Sequence, residues 1–234
     1  MLSSLASVLA PAFGRLTVTA RDHTDRIAPG SILVANHTSL ADPALVLAAL
    51  RRRFGAEPVV LATAGLWRVP LLGSALAREG HIPVHRGTAR AGDALAGAAP
   101  ALAAGKLVLL YAEGHIPEAA DSGDRPPEPF RTGVARLALA TGAPVVPIGQ
   151  AGARRISSGS TLKQLAGVLT APVRRPSVHV HVEPPIHFPA GLSLPEATAL
   201  AHSAVTSAWR VAANTLRTTR RSDPTASPNV PLDR

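Results

Sequence analysis

Short apolar runs, each long enough for one buried strand, alternate along this chain with alanine- and leucine-rich stretches of helical length. That alternation is the signature of an α/β domain, and it excludes most other architectures. The runs at 31–35 (SILVA), 81–84, 106–111 (KLVLLY), 144–148 and 177–183 (SVHVHVE) read as strands. Helices are expected at 43–54, 64–78 with a break at Pro70, 89–104, and 131–141 with Gly142 as its C-cap. A last helix begins at Ser193-Leu-Pro-Glu196, where serine, proline and glutamate fit a capping box. Between them, 117–129 is rich in Pro and Gly and reads as an exposed loop. With 234 residues and only 3% aromatics, one core filled by Ala, Val and Leu is expected. The predicted fold is a mixed central β-sheet flanked by helices. It divides into an N-terminal amphipathic helix over 1–16, one domain over 17–217 and a disordered tail over 218–234.

The chemistry concentrates in Val34-Ala-Asn-His-Thr-Ser-Leu-Ala-Asp-Pro43. A strand ends near Ala35, and Asp42-Pro43 is a good helix start. A turn between strand and helix lets the Asp42 carboxylate reach the His37 imidazole, fix its tautomer and stabilise the imidazolium, as a general base requires. On spacing alone, the plainer reading is that Asp42 caps a helix and His37 is a loop histidine.

Three further segments follow in order: Gly80-His-Ile-Pro-Val-His-Arg86-Gly87, Tyr111-Ala-Glu-Gly114 and Pro144-Val-Val-Pro147. Together with Asn-His-x4-Asp they resemble the four ordered blocks of the lysophospholipid (glycerolipid) acyltransferase family, across about residues 17–188. The resemblance implies that His37 and Asp42 are catalytic, with Asn36 in the same block. It also implies that Arg86, Glu113 and Gly114 bind the acceptor and that Pro147 lies near the acyl donor. Phe130, Arg131 and Gly133 fit the family's Phe-basic-x-Gly helix start, and Arg131 joins the substrate-binding set. Where relatives continue Thr-Arg after Glu-Gly, this chain has His115-Ile116. Either Arg125 or Arg131 supplies that charge, or the acceptor differs.

The implied reaction moves a fatty acyl group from acyl-CoA or acyl-carrier protein onto lysophosphatidic acid, giving phosphatidic acid. Other lipid acceptors (a glycolipid or aminolipid) and a non-catalytic lipid-binding role stay open. The thioester is a co-substrate, and neither cofactor nor metal is expected. His179 and His181 alternate on one strand and read as sheet-surface residues, while His81 and His85 read as structural. There is no Gly-x-Ser-x-Gly, P-loop or His-Glu-x-x-His, and no cysteine.

The net charge is +9, and no Asp or Glu occurs between Pro129 and Val182, where seven Lys and Arg fall. Such a face suits anionic lipid or phosphorylated substrates, and an arginine-rich solvated surface is the plainer alternative. Nucleic acid is not expected as a partner, because stacking aromatics are missing. No run reaches the ~18 apolar residues of a membrane span. In α-helical register, Leu2, Leu5, Leu9, Ala12 and Leu16 form an apolar stripe, expected to rest on the core or the membrane interface, with Pro11 bending or ending the helix. The expected location is cytoplasmic, peripheral on the inner face of the cell membrane.

Overall fold

The computed structural model describes residues 2–21, 26–88, 92–117, 123–157, 159 and 161–221. Its strands are β1 (Arg15–Ala20), β2 (Ile32–Ala35), β3 (Val59–Thr63), β4 (Ile82–Val84), β5 (Val108–Tyr111), β6 (Val145–Ala151) and β7 (Ser177–Val182). They form one sheet in the order β1-β7-β6-β2-β5-β3-β4. The block β6-β2-β5-β3-β4 is parallel, β7 runs antiparallel to β6, and β1 lies parallel to β7. The sheet is therefore mixed, as expected.

The helices are α1 (Leu2–Phe13), α2 (Asp42–Phe54), α3 (Leu72–Arg78), α4 (Asp93–Ala103), α5 (Gly133–Thr141), α6 (Thr161–Arg174) and α7 (Leu194–Arg221). Alternation along a strand decides which of them each side chain meets. From β2, Ile32 and Val34 pack with Leu102 of α4, Val134 and Leu137 of α5 and Val205 of α7. Leu33 and Ala35 point the other way, onto Val46, Ala49 and Leu50 of α2. Being covered on both faces, the central strands are apolar throughout, which is why they read as unbroken runs.

α7 crosses β6 at very short range. A Cβ on Gly149 would stand 2.1 Å from backbone atoms of Ala208 and Trp209, so this position tolerates no side chain. The predicted capping box at its start is present: Ser193 N–H donates to the Glu196 carboxylate at 3.0 Å.

Several expectations need correction. Strands β1 and β3 and helix α6 were not anticipated. Leu16 belongs to β1, so the first helix ends at Phe13 and does not reach residue 16. Pro11 neither ends nor shortens it. The stripe Leu5, Leu9 and Ala12 faces solvent, while Ser3 and Ala10 are the buried positions against the protein. α7 continues to Arg221, so 218–221 are helical, and 222–234 lie outside the described residues. Helix α4 starts at Asp93, with 89–91 outside the described residues. No helix or strand forms across 123–129 of the expected loop, and 118–122 also fall outside.

His179 and His181 are not surface residues. Both are buried, and β1 explains why: Thr17 Oγ1 lies 2.7 Å from His179 Nδ1, and Thr19 Oγ1 lies 2.9 Å from its Nε2. The same Thr19 oxygen is 2.8 Å from His181 Nδ1. Burial, and then the neighbouring His181, pull the His179 imidazole down to about 4. Between that value and the ordinary ~6.5 the unfolded chain binds the extra proton, so stability falls as pH drops through this window. Wild type should lose on the order of 1–2 kcal/mol more than His179→Gln between pH 7 and pH 5, measured by urea denaturation. Equal losses in the two proteins overturn this assignment.

Candidate active site

β2 ends at Ala35 and α2 begins at Asp42, both near the carboxyl end of the parallel block, where α/β sheets place their ligands. The chain turns between them inside the protein, so its backbone N–H groups need acceptors. Asp42 supplies one. Its Oδ2 accepts the backbone N–H of Thr38 and, at 2.8 Å, that of Ser39. The same oxygen lies 2.9 Å from His37 Nδ1, so that nitrogen donates and the basic lone pair is on Nε2. Ala41 takes the cap position without a side-chain bond, and Asp42 is the first helical residue, followed by Pro43. The carboxylate thus closes the turn and orients the imidazole; it does not cap α2, so the helix-cap reading gives way to the contact with His37. It also sits at the positive end of the α2 dipole.

His37 is held from other sides as well. The Tyr111 ring stacks on its imidazole with centroids 4.4 Å apart. Glu113, fully buried just beyond β5, accepts the His37 backbone N–H at 2.7 Å through Oε1 and the Glu128 N–H at 3.1 Å through Oε2. Burial outweighs these two donors and pushes the Glu113 carboxyl up to about 7. Both oxygens of Glu113 are therefore engaged with backbone, and the group acts on His37 from behind.

Asn36 is equally committed. Its Nδ2–H donates to Gln150 O at 3.0 Å, and its Oδ1 accepts Gln150 N–H at 2.8 Å, so the side-chain amide adds one rung to the β2–β6 ladder. Gln150 was not singled out in the sequence. Its Nε2–H donates to Thr38 Oγ1 at 3.0 Å, which lies 3.4 Å from Asp42 Oδ1. Its signal was a lone amide at the end of an apolar strand, costly to bury unless bonded. Pro147 sits inside the sheet opposite Val34, with its carbonyl accepting Glu183 N–H, and brings no polar group to the site.

Beyond β5 the surface turns basic. Gly114 adopts φ +77°, and a Cβ there would fall 2.7 Å from Arg131 Cδ, so the glycine lets Arg131 lie flat against the Glu113-Gly114 turn. Loss of solvent, and then the Arg131 charge, hold the Arg86 guanidinium below its ordinary value. Among the described residues neither arginine pairs with a carboxylate, and two like charges left side by side make a site for an anion. His115 turns aside: its Nε2 meets Glu128 Oε2 at 2.9 Å and its Nδ1–H donates to Glu113 O at 3.1 Å. Among the described residues there is no group of three or more His, Cys, Asp or Glu arranged to hold a metal ion.

A buried His-Asp pair thus lies at a strand-to-helix turn, with two neighbouring arginines beyond it. The chain belongs to the acyltransferase family, whose model matches residues 15–150, more than half of its length, and it is an acyltransferase. Its fold is similar to that of the 1-acyl-sn-glycerophosphate (LPA) acyltransferase PlsC from Thermotoga maritima, with a TM-score of 0.65 and 18% identity, over 94% of this chain and 78% of that one. No curated protein sequence matches it.

The raised Glu113 carboxyl has a measurable consequence. The folded protein holds the proton where the unfolded chain has lost it, so this group's contribution falls as pH rises from ~4.5 to 7. Between pH 5 and pH 8, wild type should lose on the order of 2 kcal/mol relative to Glu113→Gln in denaturant titrations. A difference of the opposite sign rules out the buried carboxyl described here.

Proposed function

We propose that this enzyme transfers a fatty acyl group from acyl-CoA or acyl-carrier protein to the hydroxyl of a lysophospholipid, with lysophosphatidic acid giving phosphatidic acid. The observation that carries the reading is the buried His37–Asp42 contact at 2.9 Å, with Nε2 left unpaired among the described residues. In this mechanism His37 Nε2 takes the proton of the acceptor hydroxyl, and Asp42 offsets the charge of the imidazolium. The oxygen attacks the thioester carbonyl. The tetrahedral intermediate collapses with loss of the C–S bond, and the imidazolium returns the proton to the departing thiolate. The products are an ester and a free thiol, and no acyl-enzyme is formed. Asp42 N–H donates to Ser39 O at 3.1 Å and Pro43 has no N–H, which leaves Ala44 as the first-turn donor suited to the oxyanion.

Arg86 and Arg131 fit the acceptor's phosphate. Arg131 is the residue that lies against Glu113-Gly114, and it takes the part of the arginine that relatives carry two residues after that glycine. The His115–Glu128 pair at that place favours a second reading, in which the acceptor bears a hydroxylated or amino headgroup. The substrates are membrane lipids. On that ground we place the enzyme peripherally, on the inner face of the cell membrane; among the described residues no helix is long and apolar enough to cross a membrane.

Thiol release from palmitoyl-CoA, with and without lysophosphatidic acid, tests the reaction. His37→Ala and Asp42→Asn should stay folded and lower acceptor-dependent turnover by about 10²–10⁴-fold. Undiminished turnover by His37→Ala sinks the mechanism. Arg86→Ala and Arg131→Ala should each raise the KM for lysophosphatidic acid by about tenfold or more, with little effect on an uncharged monoacylglycerol. Similar losses on both acceptors reject the phosphate role.

A further inference from the structure

Exposed apolar side chains occur at several places, Leu71 and Val69 before α3 among them, and one group falls on neighbouring elements. Leu5, Val8 and Leu9 project from α1, Leu40 from the His37 turn, and Leu169 and Val173 from α6, with Val8 at 73%, Leu169 at 70% and Val173 at 88% exposure. Contiguity follows from what lies beneath. The inner side of α6, through Val168 and Ala171, shares one cluster with Phe13 of α1 and with Ala41 of the catalytic turn. Ser39 Oγ donates to Ser157 O, binding that turn to the segment that leads into α6. Arg175 at the end of α6 donates to Pro11 O of α1 at 3.4 Å. Two adjoining helices and the tip of the catalytic turn therefore present one apolar surface beside His37.

Charge identifies the occupant. Helix α1 carries no ionisable side chain, and α6 carries bases without a single acid. Lys163, Arg174 and Arg175 edge the patch, and among the described residues none of them meets a carboxylate. The Arg174 guanidinium is braced by Arg155 O, Gly167 O and Thr170 Oγ1, all neutral, so its positive charge stands uncompensated. Carboxylates meet α1 at its far end, where Glu57 accepts from Ser4 and Glu79 from Leu2 N–H. Apolar side chains edged by cations match an anionic bilayer, whose acyl region takes the first and whose headgroups take the second.

We propose that α6, together with α1 and the Leu40 tip, is the bilayer-docking face, and that it sets the His37 opening directly on anionic lipid. This rests on the lipid acyl-transfer reading. It adds the particular surface, and it gives α6 a role outside the catalytic blocks.

The test uses sedimentation with phosphatidylcholine vesicles with and without phosphatidylglycerol. Wild type should bind the anionic vesicles more tightly. Leu169→Asp combined with Val173→Asp should lower that partition by about a hundredfold, because two aliphatic side chains that enter the acyl region are exchanged for two anions. Arg174→Gln with Arg175→Gln should remove much of the preference for phosphatidylglycerol. On monomeric short-chain substrates the Asp variant should keep wild-type turnover, while turnover of long-chain acceptor in vesicles falls. Absence of turnover by wild type on monomeric substrates strikes the proposed reaction and leaves the docking result standing. The chain has no cysteine, so Val173→Cys can carry a single environment-sensitive dye, which should shift to the blue on anionic vesicles. Undiminished vesicle binding by the Asp variant, or a dye that does not respond, overturns the proposal. So does a wild-type dimer in light scattering that this variant dissociates, which assigns the patch to a second copy.

Discussion

One carboxylate oxygen organises the turn that carries His37. Asp42 Oδ2 draws in the His37 imidazole and the Thr38 and Ser39 backbone N–H groups, all within a segment that is largely shielded from water. Removing such an acceptor leaves buried donors unsatisfied, at ~1–3 kcal/mol each. The side chains that follow are consequences. Asn36 can extend the β2–β6 ladder only because the chain leaves β2 in that direction. Gln150 can then reach Thr38, so β6, the turn and α2 are joined through amides and a hydroxyl.

A second carboxylate approaches the same histidine from behind, and the two differ in kind. Asp42 accepts four donors, three of them on Oδ2, at the positive end of a helix dipole. Glu113 has two donors and no helix end, and burial prevails there. Placing a group of this kind against the His37 backbone couples the His37 turn to the Glu128 segment, since each of its oxygens holds one of them. The Glu-Gly step thus has two structural effects: the glutamate fixes the turn, and the glycine, at φ +77°, makes room for Arg131.

The sequence made the buried parts of the fold legible where burial is complete on both faces. β2 and β5 are unbroken apolar runs, and α5 announces its end with Gly142 in the left-handed region. Edge elements were harder. β1 alternates Leu16, Val18 and Ala20 with polar residues, yet Leu16 also continued a helical spacing and was absorbed by it. His179 and His181 looked exposed because their partners, Thr17 and Thr19, lie about 160 residues away in sequence. In the site, residue types and order pointed to His37, Asp42, Arg86 and Arg131. What spacing could not carry was the direction of each side chain. Asn36 and Glu113 turn to backbone partners, Gln150 gave no signal beyond being a polar group in an apolar strand, and Tyr111, though it opens the third block, gave no sign that it stacks on His37.

The first helix shows why an apolar stripe cannot by itself be assigned to a core. Close approach between helices favours small residues, and Ser3, Ala6 and Ala10 occupy the side of α1 turned to the protein. The larger Leu5, Val8 and Leu9 are thereby turned outward. A helix whose largest side chains lie outside gains nothing from water, and α6 repeats the pattern, with Ala171 buried and Leu169 and Val173 exposed. Two neighbouring helices show the same inversion on the side where the His37 turn ends, and among the described residues nothing covers these side chains. On the proposed lipid acyl transfer, such a surface would keep acyl chains entering from a bilayer out of water on their way to His37.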